Sequence, residues 1–188
     1  VRPHCSGGQG ICEYEEHKIN LISNTGQNIS NTWDRYTGMN FTKLQATGND
    51  FILIDARELK QDWSRLARAM CHRHFGIGAD GLLLLLQSEV ADFRMRMFNP
   101  DGSEAEVCGN GLRCLARYVT ECDLADADKE LTIETTAGVR KVKSHAGSQF
   151  QVDMGVPKFR PGEIPVSIEV DIIPILDYPV TVEGKELL

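Results

Sequence analysis

The sequence lacks any apolar stretch that could cross a membrane as a helix. Its longest apolar run, Leu82 to Leu86, has the length of a strand, whereas a membrane-spanning helix needs about 20 residues. The N-terminal region also lacks the basic segment followed by an apolar segment that is typical of a secretory signal. We therefore expect neither a membrane protein nor a secreted protein.

Positive charge is scarce relative to negative charge. The chain has 20 Lys and Arg residues against 27 Asp and Glu residues, a formal net charge of -7 and a pI of about 5.2. Nucleic acids and anionic membranes bind proteins through basic patches, so this balance argues against both as partners. With 41% hydrophobic and 25% charged residues among 188, the composition is otherwise ordinary for a globular protein.

Cysteine is also too scarce to indicate a disulfide scaffold. The chain has 6 cysteines in 188 residues, whereas proteins held together by disulfides are usually shorter and richer in cysteine. We expect free thiols, which persist in a reducing compartment, and therefore a cytoplasmic protein.

The chain changes character at Met39. Residues 1–38 are polar, rich in Gly, Asn, Ser and Thr, and without sustained periodicity, and they begin with Val rather than Met. We expect a non-native or disordered leader there; the alternative is a short extra strand around Lys18 to Ser23. We expect residues 39–188 to form a domain that is incomplete at its C-terminal end, because prolines interrupt the last 30 or so residues and no element closes the fold.

From Met39 onward, the hydrophobic periodicity predicts two helices and many short strands. An amphipathic helix is predicted from Asp62 to His74, and a second helix from Cys108 or Gly109 to about Cys122. The predicted strands cover residues 41–46, 51–55, 82–87, 92–99, 131–136, 139–145 and 150–154, and short strands punctuated by proline follow. A regular βαβ alternation is lacking, so the pattern predicts an α+β fold.

Two local motifs suggest other chemistry, and their context argues against both. Residues 76–81 read G-x-G-x-x-G, but a dinucleotide site needs a strand before the glycines and a helix after them; here the predicted helix precedes and the strand follows. Cys71, His72 and His74 are metal-ligand types, but side chains this close together at a helix end cannot all converge on one ion. We predict a helix stop with a tight turn, and no metal site.

The segment most suggestive of chemistry covers residues 98–114 and reads FNPDGSEAEVCGNGLRC. It places Cys108 at the start of the second predicted helix, where unpaired backbone N–H groups bind anions and stabilise a thiolate. The following Gly-Asn-Gly, residues 109–111, has little bulk, so a ligand can approach the backbone closely. Cys108 is therefore the candidate acid/base or nucleophile.

This segment closely resembles its counterpart in diaminopimelate epimerases. Three further segments resemble the same family in the same order: GNDF at residues 48–51, FGIGADG at residues 75–81, and VDMGVP at residues 152–157. The resemblance runs from Met39 to the C-terminus. Proline racemases and phenazine-biosynthesis isomerases share the architecture but treat the cysteine segment differently, and a related racemase or isomerase remains an alternative.

The resemblance implies two similar domains, each with short-stranded sheets wrapped around a central helix, of which this chain would supply one. It implies a homodimeric, cofactor-independent isomerase that interconverts LL- and meso-diaminopimelate in lysine biosynthesis, without pyridoxal phosphate or metal. It further implies that Cys108 is the proton-transferring cysteine of this domain. Asn49 and Asn99 match asparagines that contact the substrate, and Gly109 and Asn110 match residues that hold its carboxylate.

The resemblance does not extend to the family's second cysteine, which has no counterpart after Cys108. Cys114 and Cys122 lie on the helix that Cys108 begins, so they cannot act from the opposite side of a substrate. We therefore expect this chain alone to be inactive as an epimerase. Two other classes stay open: a non-catalytic half-domain, and a thiol hydrolase with a histidine beside Cys108.

Overall fold

Nine strands of the chain form one mixed sheet, with a helix on each face. The computed structural model describes residues 15–18, 39–145, 149–163 and 179–187. Contacts divide the chain into two units, Val1–Asp153 and Met154–Leu188. The first contains, in order, β1 (Glu15–Lys18), β2 (Asn40–Ala46), β3 (Asn49–Asp55), α1 (Trp63–Met70), β4 (Gly81–Leu86), β5 (Phe93–Phe98), β6 (Glu104–Ala105), α2 (Gly109–Glu121), β7 (Leu131–Thr135), β8 (Gly138–His145) and β9 (Gln149–Val152).

The sheet combines hairpins with two parallel crossovers. The strand order is β1-β2-β3-β4-β5-β7-β8-β9, and β6 pairs with β5 as a short extra strand. The pairs β3–β4 and β5–β7 are parallel, and all other pairs in this sheet are antiparallel. α1 lies in the first parallel connection and α2 in the second, as parallel pairing requires a long crossover. The α+β prediction is confirmed, although the two crossovers are βαβ units that the sequence pattern did not reveal.

The two middle strands are buried on both faces. Along β3 and β4, alternate side chains enter two separate core clusters, because successive residues of a strand point to opposite faces. Ile52 and Leu82 lie in the cluster that contains the apolar face of α1, whereas Phe51 and Leu83 lie in the cluster that contains the apolar face of α2. This double burial explains the continuous apolar sequences of these strands.

α2 is the central helix of the first unit. It contacts β2, β3, β4 and β5 in the first part of the strand order, and also β8 and β9 at the end of that order. The sheet therefore curves around it. The buried face of α2 consists of Gly111, Leu112, Cys114, Leu115, Ala116 and Val119. The predicted arrangement of short strands around a central helix is thereby confirmed.

The predicted helices and strands are present, with some differences at their ends. α2 begins and ends where the sequence predicts, with Cys108 and Cys122 as its caps. α1 begins after Asp62, whose carboxylate accepts a hydrogen bond from the Arg65 N–H, but it ends at Met70 rather than His74. The short β6 was not predicted, since two residues carry no periodicity.

The early end of α1 has a physical cause. The chain turns back so that the N–H groups of Ile77 and Gly78 both donate to the Met70 carbonyl oxygen, each at 2.9 Å. A Cβ added to Gly76 would lie 2.2 Å from the Ala69 carbonyl oxygen. The glycine therefore allows the loop to fold against the last turn of the helix, and this tight turn ends in β4 as predicted.

Part of the predicted leader has a regular structure. Residues 15–18 form β1, which pairs with residues 40–43 of β2, so this short segment departs from the expected disorder. The rest of residues 1–38, including most of the alternative strand around Lys18 to Ser23, lies outside the described residues. The leader itself therefore stays a prediction.

The second unit, described by itself, contains a 3-10 helix at Pro161–Glu163 and the hairpin of β10 (Val180–Val182) with β11 (Lys185–Leu187). The hairpin agrees with the prediction of short strands after residue 154. Among the described residues of the whole chain, no helix combines the length and apolar character needed to cross a membrane.

Candidate functional site at the start of α2

Cys108 is the N-cap residue of α2. Its backbone is extended, with φ -142° and ψ 112°, and its carbonyl oxygen accepts the first helical hydrogen bond, from the Leu112 N–H at 2.9 Å. The Gly111 N–H donates to Cys108 Sγ at 3.3 Å. The sulfur thus occupies the place that a Ser or Asp oxygen usually takes at an N-cap, and the half-buried side chain keeps access to solvent.

The residues after Cys108 leave room for a ligand. The N–H groups of Gly109 and Asn110 lie in the first turn, where a helix supplies no carbonyl partner, and none of the described residues accepts a hydrogen bond from either. Gly111 is buried against β4, since a Cβ there would lie 3.0 Å from Leu83 Cδ2. The helix start therefore packs closely against the sheet and presents two unpaired donors.

The side chains of Asn49 and Asn110 meet at this end of α2. Asn110 Nδ2 donates to Asn49 Oδ1 at 3.3 Å, and Asn49 Nδ2 donates to Asp80 Oδ2 at 2.9 Å. On its other side, Asn110 Oδ1 accepts a hydrogen bond from the Arg113 guanidinium. Two residues that the family resemblance selected, 61 positions apart, are thus in direct contact.

The carboxylate that accepts from Asn49 belongs to a cluster of charged side chains. Arg73 Nη2 lies 2.7 Å from both Asp50 Oδ1 and Asp80 Oδ1, and Lys43 Nζ lies 2.5 Å from Asp50 Oδ2. Partial burial acts to raise the pKa of Asp50, but hydrogen bonds from Arg73 and Lys43 outweigh it and hold this pKa well below its ordinary value. Asp50 is therefore an anion throughout the physiological pH range.

The structure does not bring Asn99 into this group. Asn99 follows β5, and its side-chain Nδ2 donates to Ser103 Oγ at 2.9 Å within a turn that its own N–H closes on the Ser103 carbonyl oxygen. Among the described residues, no hydrogen bond joins Asn99 to Cys108, Asn49 or Asn110. Its role as a substrate contact stays a prediction.

The other thiols in the described part of the chain have different surroundings. Besides Cys108, these thiols are Cys71, Cys114 and Cys122. Cys71 is buried beside α1, and burial raises its pKa to about 11. Cys114 is buried in the core on α2, and Cys122 caps the far end of that helix, so neither reaches the site at Cys108.

Histidine is not paired with Cys108 in the described part of the chain. His72 Nδ1 accepts hydrogen bonds from the backbone N–H groups of His74 and Phe75, and the ring of His145 contacts Gln151. No group of three or more His, Cys, Asp or Glu side chains that could hold a metal ion occurs among the described residues. The pairing that a thiol hydrolase needs is therefore not found there.

Sequence reasoning missed the supporting residues Arg73, Asp80 and Arg113. A signal was present, because Asp80 lies inside one segment of the family resemblance and Asp50 inside another. The parallel pairing of β3 with β4 places Phe51 opposite Gly81 and so brings the two segments together. The segments at residues 48–51 and 75–81 therefore lie side by side, where β3 and β4 begin.

Comparison with known proteins identifies the family. The family model for diaminopimelate epimerase matches residues 41–160. The chain belongs to the diaminopimelate epimerase family. The diaminopimelate epimerase of Halothermothrix orenii is 47% identical over 156 residues, which cover 79% of this chain and 55% of that protein. The diaminopimelate epimerase of Moorella thermoacetica is 48% identical over 153 residues, which cover 78% and 54%, respectively.

The chain spans about half the length of these curated diaminopimelate epimerases. Among solved structures, a phenazine biosynthesis protein of the PhzF family from Bacillus anthracis is similar, with 29% identity and a TM-score of 0.46. That similarity covers 57% of this chain and 35% of the other chain.

Proposed function

We propose that this chain supplies one catalytic half of a cofactor-independent diaminopimelate epimerase, with Cys108 as one of two proton-transferring thiols. Family membership supports the reaction, which interconverts LL- and meso-diaminopimelate in lysine biosynthesis. The observation that carries the assignment of Cys108 is the hydrogen bond of 3.3 Å from the Gly111 N–H to its sulfur at the start of α2.

In the proposed reaction, one thiolate removes the α-proton of the substrate and a thiol on the opposite face donates a proton to the same carbon. The electron pair of the broken C–H bond moves onto Cα and into the adjacent carboxylate, until the new C–H bond forms and the configuration is inverted. The Gly111 N–H donates to Cys108 Sγ at 3.3 Å and so holds the sulfur at the start of α2, beside the unpaired donors of the helix. The two thiols exchange roles when the reaction runs backwards.

The start of α2 supports binding of the carboxylate that gains charge in this step. The N–H groups of Gly109 and Asn110 are available as donors, and the positive end of the helix dipole acts in the same direction. In other enzymes, one such donor to a developing oxyanion contributes about 3–4 kcal/mol of transition-state stabilisation. Asn49, hydrogen-bonded to Asn110, would complete this side of the site.

The second thiol would come from the other domain that the family resemblance implies. We therefore propose that this chain, acting alone, exchanges the α-hydrogen with retention of configuration at best. The alternative for the chain alone is a non-catalytic half-domain, which is favoured by its span of about half of the relatives' length.

The test is hydrogen exchange in D₂O. The chain is incubated with meso-diaminopimelate, and loss of the α-proton signal is followed by NMR, with Cys108→Ala as the test variant. Cys122→Ala is the matched control, since Cys122 lies at the other end of the same helix. We expect exchange in the wild type and in the control, but not in Cys108→Ala. Equal exchange without Cys108 would contradict its role, and absence of exchange in the wild type would favour the non-catalytic half-domain.

We also propose a homodimeric, cytoplasmic enzyme that acts on a small molecule and does not bind nucleic acid. The dimer is supported by the family resemblance, the compartment by the chemistry, which needs reduced thiols, and the lack of nucleic-acid binding by the formal net charge of -7. Light scattering after size-exclusion chromatography would test the dimer, and a mass equal to one chain would contradict it.

A further inference from the structure

The side-chain amides of Asn49 and Asn110 belong to one hydrogen-bonded network in which the donor and the acceptor of every hydrogen bond are fixed. At one end stands the Asp80 carboxylate, which can only accept, and at the other the Arg113 guanidinium, which can only donate. Asn49 must therefore turn its Nδ2 to Asp80, at 2.9 Å, and its Oδ1 to Asn110, at 3.3 Å. Asn110 must turn its Nδ2 to Asn49 and its Oδ1 to Arg113.

This direction decides what Asn110 can offer to a ligand. Its Oδ1 is occupied by Arg113, and Thr47 Oγ1 lies 3.2 Å from the same oxygen. One of its two amide hydrogens is used by Asn49, so the second hydrogen is the group that remains. Together with the backbone N–H groups of Gly109 and Asn110, the start of α2 then presents donors.

We propose that Asp80 and Arg113 are positioning residues that fix the side chain of Asn110 as a hydrogen-bond donor, which makes the Cys108 site selective for a carboxylate over an uncharged amide. This inference rests on the proposed function, because it assigns the direction of the amides that would hold the substrate. Neither residue touches the ligand. Each acts through Asn49 or Asn110, and Arg73 acts one step further away by holding Asp80 through its ion pair of 2.7 Å.

Asp80 and Arg113, at the two ends of the hydrogen-bonded network, impose the same orientation on the two amides, so either residue alone is sufficient. In Asp80→Asn the new amide could accept from or donate to Asn49, but Arg113 would still orient Asn110. In Arg113→Met the donor to Asn110 is lost, but Asp80 would still orient Asn49 and, through it, Asn110. Only the double variant D80N/R113M releases both amides, so we expect a strongly non-additive effect.

The experiment compares two alkylating reagents at the same sulfur. Iodoacetate carries a carboxylate and iodoacetamide an amide of similar size, and the ratio of their rates at Cys108 cancels any change in thiolate fraction or exposure. Peptide mass spectrometry of the wild-type chain also measures the iodoacetate-to-iodoacetamide ratio at Cys122. Cys122 serves as the reference, because it belongs to the same molecule with the same net charge of -7. We expect the ratio at Cys108 to exceed that at Cys122 by about threefold or more, as one solvent-accessible hydrogen bond allows.

The variants then test the positioning role. We expect each single variant to keep most of the preference at Cys108. We expect D80N/R113M to lower the ratio towards that of Cys122 without reaching it, because the backbone N–H groups of Gly109 and Asn110 remain. The matched control is R117M with D55N, because Arg117 pairs with Glu121 one turn further along α2 and Asp55 pairs with Arg57 at the far end of β3. The control should leave the ratio unchanged.

Two results would overturn the proposal: equal ratios at Cys108 and Cys122 in the wild type, or an undiminished ratio in a folded D80N/R113M chain. Should the double variant fail to fold, Asn110→Ala, which removes the side-chain donor itself, must lower the preference, and an unchanged ratio there overturns the proposal as well. These outcomes are independent of hydrogen exchange from diaminopimelate, so the proposed function can fail while the carboxylate preference persists, and the reverse.

Discussion

At the scale of single residues, the position of Cys108 combines two roles in one atom. Its sulfur accepts the hydrogen bond that caps α2, and the same sulfur would carry the proton in the reaction that we propose. Position alone separates it from the other described thiols, because Cys71 and Cys114 are buried in the core and Cys122 lies at the opposite end of α2. The role that we propose for this thiol therefore depends on the helix start rather than on cysteine as such.

Asp50 connects the charge cluster to the pH dependence of stability. Its ordinary pKa of 3.8 is lowered in the folded chain, because the hydrogen bonds from Arg73 and Lys43 outweigh the effect of burial. A lowered pKa stabilises the folded state above pH 3.8 and loses this contribution as the pH falls towards the lowered value. We expect Asp50→Asn to lower the free energy of unfolding at neutral pH by about 1 kcal/mol, given partial exposure.

Chemical denaturation at pH 7 and at pH 3 would check this expectation. The difference between the wild type and Asp50→Asn should shrink at the lower pH, as the wild-type carboxylate begins to be protonated in the unfolded chain. Asp128→Asn, a substitution of an exposed carboxylate, should give no difference at either pH. A difference for Asp50→Asn that grows on acidification would contradict the direction of the pKa shift.

At the scale of elements, the turn after α1 depends on the absence of a side chain at Gly76. An added Cβ would lie 2.2 Å from the carbonyl oxygen of Ala69 and 2.6 Å from that of Met70, and backbone atoms in a helix cannot yield. We expect Gly76→Ala to destabilise the chain by about 2–4 kcal/mol, as overpacking against a rigid neighbour does.

Thermal unfolding followed by circular dichroism would measure the effect. The matched control is Gly162→Ala, since an added Cβ there meets nothing within 4 Å, and it should change stability by no more than about 0.5 kcal/mol. If the two variants had equal midpoints, the close approach of the turn to α1 would be refuted.

The elements that local patterns specify were predicted well from the sequence, and contacts between distant segments were not. The apolar stripe and caps of α2 and the alternation in β5 are short-range signals, and the structure confirms both elements. The contact of Asn49 with Asp80 depends instead on the parallel pairing of β3 and β4, whose residues lie about 30 positions apart. No periodicity encodes such pairing, so the network behind the site became visible only in the structure.

At the scale of the whole molecule, the core that the described residues form lies in one part of the chain. Both core clusters, with the partly buried residues packed against them, lie between Met39 and Val152. The unit that begins at Met154 contributes none of the buried apolar residues in the described part of the chain. The first unit therefore contains all of the apolar core that is found among the described residues.

This confinement predicts the effect of shortening the chain. A chain that ends at Asp153 should keep a cooperative thermal transition with a midpoint within about 5 °C of the full chain, because it keeps every core residue in the described part of the chain. A control that ends at Glu130 also loses β7, β8 and β9, and with them buried Leu131, Ile133 and Val142. We expect that control to show no cooperative transition, and its retention would contradict the assignment of the core.

The double burial of β3 and β4 also limits how this family's sequences can change in length. Inserting or deleting a single residue within either strand would move every side chain beyond that point from the cluster that contains α1 to the cluster that contains α2, and the reverse, since neighbouring positions point to opposite faces. Changes in length are therefore expected in the loops of this region rather than in its strands. The fixed register of β3 and β4 keeps Asn49 and Asp80, which lie near the starts of the two strands, at a constant separation.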